Sequence, residues 1–239
     1  MSEVLRRGLG DQWVPHPPPK TTDAMPIEVD LIVFDLDGTL ADSLPDLAKA
    51  ANFACRALGL PEHAVEVIQG MIGGGEANFV RRFLGLENQE YFDKALALYL
   101  DHYSRHLGDF TRLYPGVKET LQHFAAKKLA VLSNKNQRLT ERALEVLGIL
   151  PLFRAVRGGG ADLSLKPSPE PLAALLRQLG VAPGRTLMVG DKPADVLAGQ
   201  GAGAHTCGVT YGYGEPAALA AAAPEFVISR ITELSKIVF

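Results

Sequence analysis

Two aspartates lie one residue apart at the end of a run of strand-forming residues. The stretch reads LIVFDLDGTLADS, residues 31–43, and contains Asp35 and Asp37. In an extended chain, side chains two residues apart point to the same side, so both carboxylates face one space. Two ionised carboxylates repel each other unless a cation lies near both. The pair therefore indicates a divalent cation such as Mg²⁺, or a nucleophile beside a proton carrier. A plain Asp-Gly turn explains this stretch alone equally well.

Polar residues also follow other predicted strands. Ser133 and Asn134 end one strand, and Asp191 ends another, with Asp195 four residues later. Lys166 lies in a loop just before a helix that begins at a proline. Asp195 is also an ordinary residue for the start of a helix. Because the carboxyl ends of parallel strands meet at one edge of a sheet, the joint pattern favours a site over a turn.

The elements that would position these residues alternate along the chain. Strands are predicted at 30–34, 129–133, 153–156, 186–190, 204–209 and 225–229, and helices at 117–127, 136–148 and 168–180. This alternation predicts an α/β fold with a Rossmann-like parallel sheet. Residues 45–112 show helical patterns and no convincing strand, which indicates a helical cap inserted after the first strand.

These patterns divide the chain into three parts. We expect a catalytic core of residues 27–44 and 113–239, and a cap of residues 45–112. Residues 1–26 hold five of the 16 prolines and lack the apolar core of a signal peptide, so we expect a flexible tail.

Bulk composition excludes several classes of protein. The net charge of −3 gives no electrostatic footprint for nucleic acid. No apolar run approaches the roughly 18 residues that a membrane span needs. Two cysteines, Cys55 and Cys207, are too few for a disulfide framework, so we expect reduced thiols in a cytoplasmic protein. The expected partner is a small molecule, and the chain is expected to be a monomer or homodimer.

Four segments together resemble a known family. DLDGTLADS, LSNK, LKPSPEP and VGDKPAD resemble, in order, the four signature motifs of the haloacid dehalogenase superfamily of phosphatases. The resemblance covers nearly everything after residue 27 and implies the haloacid dehalogenase type of core with a small helical cap. MIGGGEANFVRRFLG and GVTYGYGEP are further similar to segments of the phosphoglycolate phosphatases. This similarity implies Mg²⁺-dependent hydrolysis of a small phosphate ester, with 2-phosphoglycolate as the preferred substrate.

The resemblance implies a role for each motif residue. Asp35 would be the nucleophile that forms an aspartyl-phosphate, and Asp37 would protonate the leaving oxygen and then deprotonate water. Ser133, helped by Asn134, would hold the phosphoryl group, while Lys166 would offset negative charge. Mg²⁺ would be held by Asp35, Asp191 and the backbone carbonyl of Asp37, with Asp195 as a further acidic member.

One position departs from the family pattern. Lys192 follows Asp191 where we expect a small hydroxyl residue in close relatives. Its charge lies beside the proposed metal, so it either turns outward or contacts substrate.

Recognition of the rest of the substrate is expected from the cap. Gly73, Gly74 and Gly75 lie between two predicted cap helices, and glycine lets backbone N–H groups approach an anion closely. Arg81 follows a few residues later and is a second candidate, with a solvated side chain as the alternative.

Other functions on this pattern remain open. A pyrophosphatase, a sugar-phosphate phosphatase or a phosphomutase would share the motifs. A carbon–halogen hydrolase needs no acid for a leaving oxygen, so Asp37 argues against it. A non-enzymatic phospho-acceptor would lack the inserted cap.

Overall fold

The computed structural model of this chain describes residues 26–160 and 164–239. The expected tail of residues 1–26 therefore lies outside the described residues except for its last residue. Within the described ranges, no helix combines the length and the apolar character required to cross a membrane.

A six-stranded parallel sheet forms the centre of the fold. Its strands are β1 (Leu31–Phe34), β4 (Lys128–Asn136), β5 (Ala155–Gly159), β6 (Thr186–Gly190), β7 (His205–Val209) and β8 (Phe226–Ile228). The order across the sheet is β5-β4-β1-β6-β7-β8, and each pair is parallel. β1 thus lies between β4 and β6, where successive connections leave in opposite directions. Ligands bind at such a point in open α/β sheets. The predicted α/β fold is confirmed.

Helices surround the sheet and fill the insertion. They are α1 (Leu44–Ala57), α2 (Val65–Met71), α3 (Gly75–Leu84), α4 (Phe92–His106), α5 (Val117–His123), α6 (Gln137–Val146), α7 (Glu170–Leu179), α8 (Pro193–Gly201), α9 (Pro216–Ala221) and α10 (Leu234–Ile237). Pro45 and Pro193 lie in the first turn of their helices, where the missing N–H costs no hydrogen bond.

The sheet is buried on both faces. Leu31 and Val33 of β1 pack with leucines of α7 on one face, whereas Ile32 and Phe34 belong to the larger core cluster on the other. This explains why β1 is continuously apolar rather than alternating.

Two glycines extend the sheet beyond the sequence prediction. Strand β5 runs to Gly159, whereas the predicted strand ends at residue 156. A Cβ atom on Gly159 would lie 2.5 Å from the backbone oxygen of Asn134. Glycine is therefore required for β5 to approach the extended end of β4.

The four helices α1–α4 form one packed unit, which we propose as the cap of residues 45–112. Phe79 of α3 packs against Tyr99 of α4, and Tyr99 stacks on Tyr103. The chain leaves and re-enters the core through a short antiparallel ribbon of β2 (Ala41–Asp42) and β3 (Arg112–Leu113). Asp46, in the first turn of α1, links the chain segment that enters the cap to the segment that leaves it. Its carboxylate accepts hydrogen bonds from the backbone N–H and the hydroxyl of Thr111, just before β3.

Candidate active site

Asp35 lies directly beyond β1, at the carboxyl edge of the sheet. Its backbone N–H donates to the oxygen of Val189 at 2.9 Å, which continues the pairing of β1 with β6. Lys166 Nζ lies 2.7 Å from Asp35 Oδ1 and 2.7 Å from Asp195 Oδ1. These ion pairs hold the pKa of the Lys166 ammonium above its usual value despite burial. Two predicted catalytic residues, 131 positions apart in sequence, are thus in direct contact.

Asn134 fixes the segment that carries Lys166. Its side-chain amide donates to the oxygen of Lys166 at 2.8 Å and accepts from the N–H of Lys166 at 2.8 Å. We expected Asn134 to help bind the phosphoryl group. Its side-chain amide is bonded to the Lys166 backbone through both atoms, and Asn134 also lines the cavity described below. Ser133, the residue before it, is buried and lines the same cavity as Asp35.

Three buried carboxylates converge beside this pair. Asp35, Asp191 and Asp195 each offer an oxygen, and these oxygens all lie within 4.8 Å of one another. Burial raises the pKa of Asp35 to about 6 and that of Asp191 to about 7. Ionised carboxylates crowded in this way need a neighbouring cation.

The oxygen atoms of these carboxylates are not equally free. Asp191 Oδ2 accepts hydrogen bonds from the N–H groups of Tyr213 and Gly214, at 2.8 and 3.0 Å. Asp191 Oδ1 is buried and has no hydrogen-bond partner among the described residues. Asp195 is engaged through both oxygens, by Lys166 and by the N–H of Lys192. An orphaned carboxylate oxygen in an acidic cluster fits a hard divalent cation, with Asp191 as its freest ligand.

Close packing against Asp191 explains the glycine of the first motif. Gly38 has φ +91°, and a Cβ atom there would lie 2.4 Å from Asp191 Oδ2. Any other residue would be strained and would displace the carboxylate.

Asp37 is held by Lys135 and Ser43, two residues to which the sequence patterns assign no role. Lys135 Nζ lies 2.7 Å from Asp37 Oδ1, and Ser43 Oγ donates to the same oxygen at 2.5 Å. Lys135 also donates to the hydroxyl of Tyr103, on cap helix α4, at 2.7 Å. Since Lys135 lies two residues after Ser133 in β4, strand alternation could have placed it on the same side.

The cap covers one side of a cavity of about 80 Å³ that contains these groups. The residues that line it come from both parts of the fold: Asp35, Asp37, Leu47, Ile72, Gly73, Gly74, Gly75, Glu76, Phe79, Tyr99, Ser133, Asn134, Lys135, Lys166, Lys192, Ala194 and Asp195. Gly74, in the segment between α2 and α3, and Gly75, the first residue of α3, thus lie at the cavity, and residues 73–75 are called the glycine loop below. Both have positive φ, of 75° and 83°.

Arg81 does not line this cavity. Its guanidinium lies 4.0 Å from the centre of the Phe92 ring and donates to Gln89 at 3.3 Å. The neighbouring Arg82 contacts the glycine loop instead, because its Nη1 donates to the oxygens of Met71 and Gly73 at 2.8 and 3.0 Å. Our expectation that Arg81 recognises substrate therefore has no support in this geometry. Which arginine faces the loop depends on the rotational phase of α3.

Comparison with known proteins gives a consistent result. Residues 32–209 match the profile of a family described as haloacid dehalogenase-like hydrolase. A phosphoglycolate phosphatase of Vibrio parahaemolyticus is 37% identical over 220 residues, which cover 88% of this chain and 96% of that protein. One of Neisseria meningitidis is 36% identical over 86% of this chain and 92% of its own length. A crystal structure described as a predicted phosphoglycolate phosphatase from Haemophilus somnus 129PT superposes with a TM-score of 0.80 at 33% identity, covering 87% of this chain and 97% of that one.

Proposed function

Because this chain belongs to the haloacid dehalogenase-like hydrolase family, we propose that it is a Mg²⁺-dependent phosphatase that hydrolyses 2-phosphoglycolate through an aspartyl-phosphate. The family expected from the sequence motifs is thereby confirmed. The observation that supports the proposal most is the contact of Asp35 with Lys166 beside the acidic cluster. The names of the two relatives support the choice of substrate.

Asp35 is the proposed nucleophile. Lys166 holds its Oδ1, and Oδ2 has no hydrogen bond among the described residues, which leaves that oxygen to attack phosphorus. The bond from phosphorus to the ester oxygen then breaks, and the leaving alkoxide takes a proton from Asp37. Glycolate departs, and the phosphoryl group stays on Asp35.

Asp37 also serves the second step. It removes a proton from a water molecule, whose oxygen attacks phosphorus and releases inorganic phosphate and the free Asp35 carboxylate. The same residue thus gives and then takes one proton. Lys135 and Ser43 keep its carboxylate oriented for both transfers.

The proposed metal ligands are Asp35, Asp191 and the backbone carbonyl of Asp37. Asp195 is a further acidic member of the site, and it holds Lys166 and the N–H of Lys192 in place. When bound, Mg²⁺ would supply positive charge that offsets the negative charge of Asp35 and of the phosphoryl oxygens. Lys166, which is paired with Asp35 Oδ1, supplies further positive charge beside the same carboxylate. Ser133 is the proposed hydrogen-bond donor to a phosphoryl oxygen.

The glycine loop is the proposed contact for the rest of the substrate. Gly74 and Gly75 line the cavity opposite the core residues, and their backbone has no side chain to keep a ligand away. A closed cap also excludes bulk water from the phosphorylated aspartate.

Both cysteines support a reducing compartment. Cys55 and Cys207 are buried and unpaired. We propose a cytoplasmic location on this ground, since free thiols of this kind are typical of that compartment.

A phosphate-release assay tests the proposed function. The panel contains 2-phosphoglycolate, pyrophosphate and several sugar phosphates, each assayed with Mg²⁺ and with a chelator. We expect Mg²⁺-dependent release, with 2-phosphoglycolate having the highest kcat/KM. A higher kcat/KM for pyrophosphate or for a sugar phosphate would overturn the assignment of 2-phosphoglycolate as the substrate. Failure to release phosphate from any of them would overturn the activity.

A further inference from the structure

Lys192 lines the cavity, and the proposed reaction gives its ammonium no role. It follows Asp191 and precedes α8, and the bond from its N–H to Asp195 Oδ2 at 3.0 Å fixes its backbone. Its side chain extends to the cap, where Nζ donates to the oxygen of Ile72 at 2.6 Å. A Cβ atom on Gly73 would lie 3.4 Å from the same Nζ. The ammonium therefore lies beside the glycine loop, on the wall of the cavity formed by the cap.

The other two lysines of the cavity are already paired with carboxylates. Lys135 lies 2.7 Å from Asp37, and Lys166 lies 2.7 Å from both Asp35 and Asp195. In the described part of the chain, no ion pair is formed by Lys192. The one close polar contact of its ammonium there is the neutral oxygen of Ile72, and the nearest aromatic ring, Tyr213, has its centre 5.8 Å away. An ammonium group has three donors, so Lys192 keeps both charge and donors for a further anion.

The charge of the cavity shows where a second anion is best placed. Four carboxylates line it, from Asp35, Asp37, Glu76 and Asp195, against the three lysines. The carboxylate of Glu76, on the cap, accepts a hydrogen bond from the N–H of Asn136 at 2.7 Å. It is therefore bonded to the core rather than to the glycine loop. A substrate with a second negative group needs a cation at its far end, and Lys192 is the unpaired cation of that wall.

We propose that Lys192 is a specificity-determining residue, whose ammonium binds a carboxylate on the non-reacting end of a small phosphate ester. This inference rests on the proposed phosphatase function. The substrate class is a phosphorylated hydroxy acid short enough to reach from Asp35 to Lys192 within the cavity. Gly73 contributes by leaving room for the ammonium beside the loop.

The test removes the charge of Lys192 while keeping a hydrogen-bond donor for the oxygen of Ile72 on the cap. In Lys192→Gln, the side-chain amide retains a donor for the oxygen of Ile72 but carries no charge. The two substrates are 2-phosphoglycolate and 2-hydroxyethyl phosphate, which has a neutral CH₂OH group in place of the carboxylate. The readout is the ratio of their kcat/KM values. Lys94→Gln, at an exposed position on α4, is the matched control.

We expect the ratio to fall about tenfold to a hundredfold in Lys192→Gln relative to wild type and to Lys94→Gln, as for the loss of one charge-assisted contact. Thermal melting of each variant verifies that it is folded. A ratio within about threefold of wild type would overturn the inference. Equal turnover of both esters by the wild type would overturn it too, while the phosphatase activity would stand. No hydrolysis of either ester by the wild type would overturn the proposed function and this inference with it.

Discussion

Lys135 Nζ lies 2.7 Å from Asp37 Oδ1, and both side chains are largely buried, with exposed fractions of 4% and 13%. The ammonium also donates to Tyr103 of the cap. The proposed proton carrier is therefore oriented by a contact that reaches both parts of the fold.

Substitution Lys135→Met should impair transfer of the proton to a poor leaving group. We expect kcat/KM for 2-phosphoglycolate to fall about tenfold to a hundredfold, which is part of the usual contribution of acid/base catalysis. With p-nitrophenyl phosphate the fall should be smaller, because its leaving group needs little protonation. The control is Lys118→Met at an exposed position of α5. Equal losses on both esters would show that Lys135 does not act through Asp37.

The two adjacent arginines of α3 should behave differently. Arg82 donates to the oxygens of Met71 and Gly73, whereas Arg81 lies on Phe92. We expect Arg82→Gln to lower kcat/KM for 2-phosphoglycolate about fivefold to twentyfold, through loss of loop order. Arg81→Gln is the matched control and should change it less than about twofold. A larger effect of Arg81→Gln would restore our sequence-based expectation.

Metal-free protein should lose stability as the pH rises from about 4 towards neutrality. Burial raises the pKa of Asp35 to about 6 and of Asp191 to about 7, from an ordinary value of 3.8. A group whose pKa is higher in the folded state stabilises the fold while protonated, and this contribution disappears as pH rises through the folded-state pKa. We therefore expect the free energy of unfolding to fall between about pH 4 and pH 7, the interval between the ordinary and the raised pKa values.

Addition of Mg²⁺ should oppose this loss. The ion binds the ionised carboxylates of the folded state, so the increase in Tm should be larger near pH 8 than near pH 5. Calorimetry with and without the ion measures both effects. In the double variant D35N/D191N, the pH-dependent part should be smaller and the response to Mg²⁺ should vanish. An unchanged pH profile in that variant would refute this assignment.

Much of the site followed from strand order. Parallel strands bring their carboxyl ends to one edge, so the meeting of Asp35 and Asp191 needed only the alternation of strands and helices. The function of Lys135 did not follow, because a lysine in a strand gives no sign of burial by itself. Its partner Asp37 lies 98 positions away, and Tyr103 comes from the cap.

The cap was harder to predict for a geometric reason. Arg81 and Arg82 are adjacent, and a rotation of about 100° around the helix separates them. The phase of α3 is set by its start at Gly75, after Gly74 in the left-handed conformation. That start depends on how the glycine loop packs against the core. Sequence alone identified the loop but not the arginine that contacts it.

The central claim is that Asp35 carries the phosphoryl group during turnover. Its most direct test is rapid acid quench of the enzyme with 2-phosphoglycolate and Mg²⁺, followed by mass spectrometry of the peptide that contains residues 31–43. We predict one phosphoryl group on Asp35 during turnover, and neither adduct nor phosphate release in Asp35→Asn. Turnover by a folded Asp35→Asn variant at more than about one hundredth of the wild-type rate, or an adduct on another residue, would contradict the account.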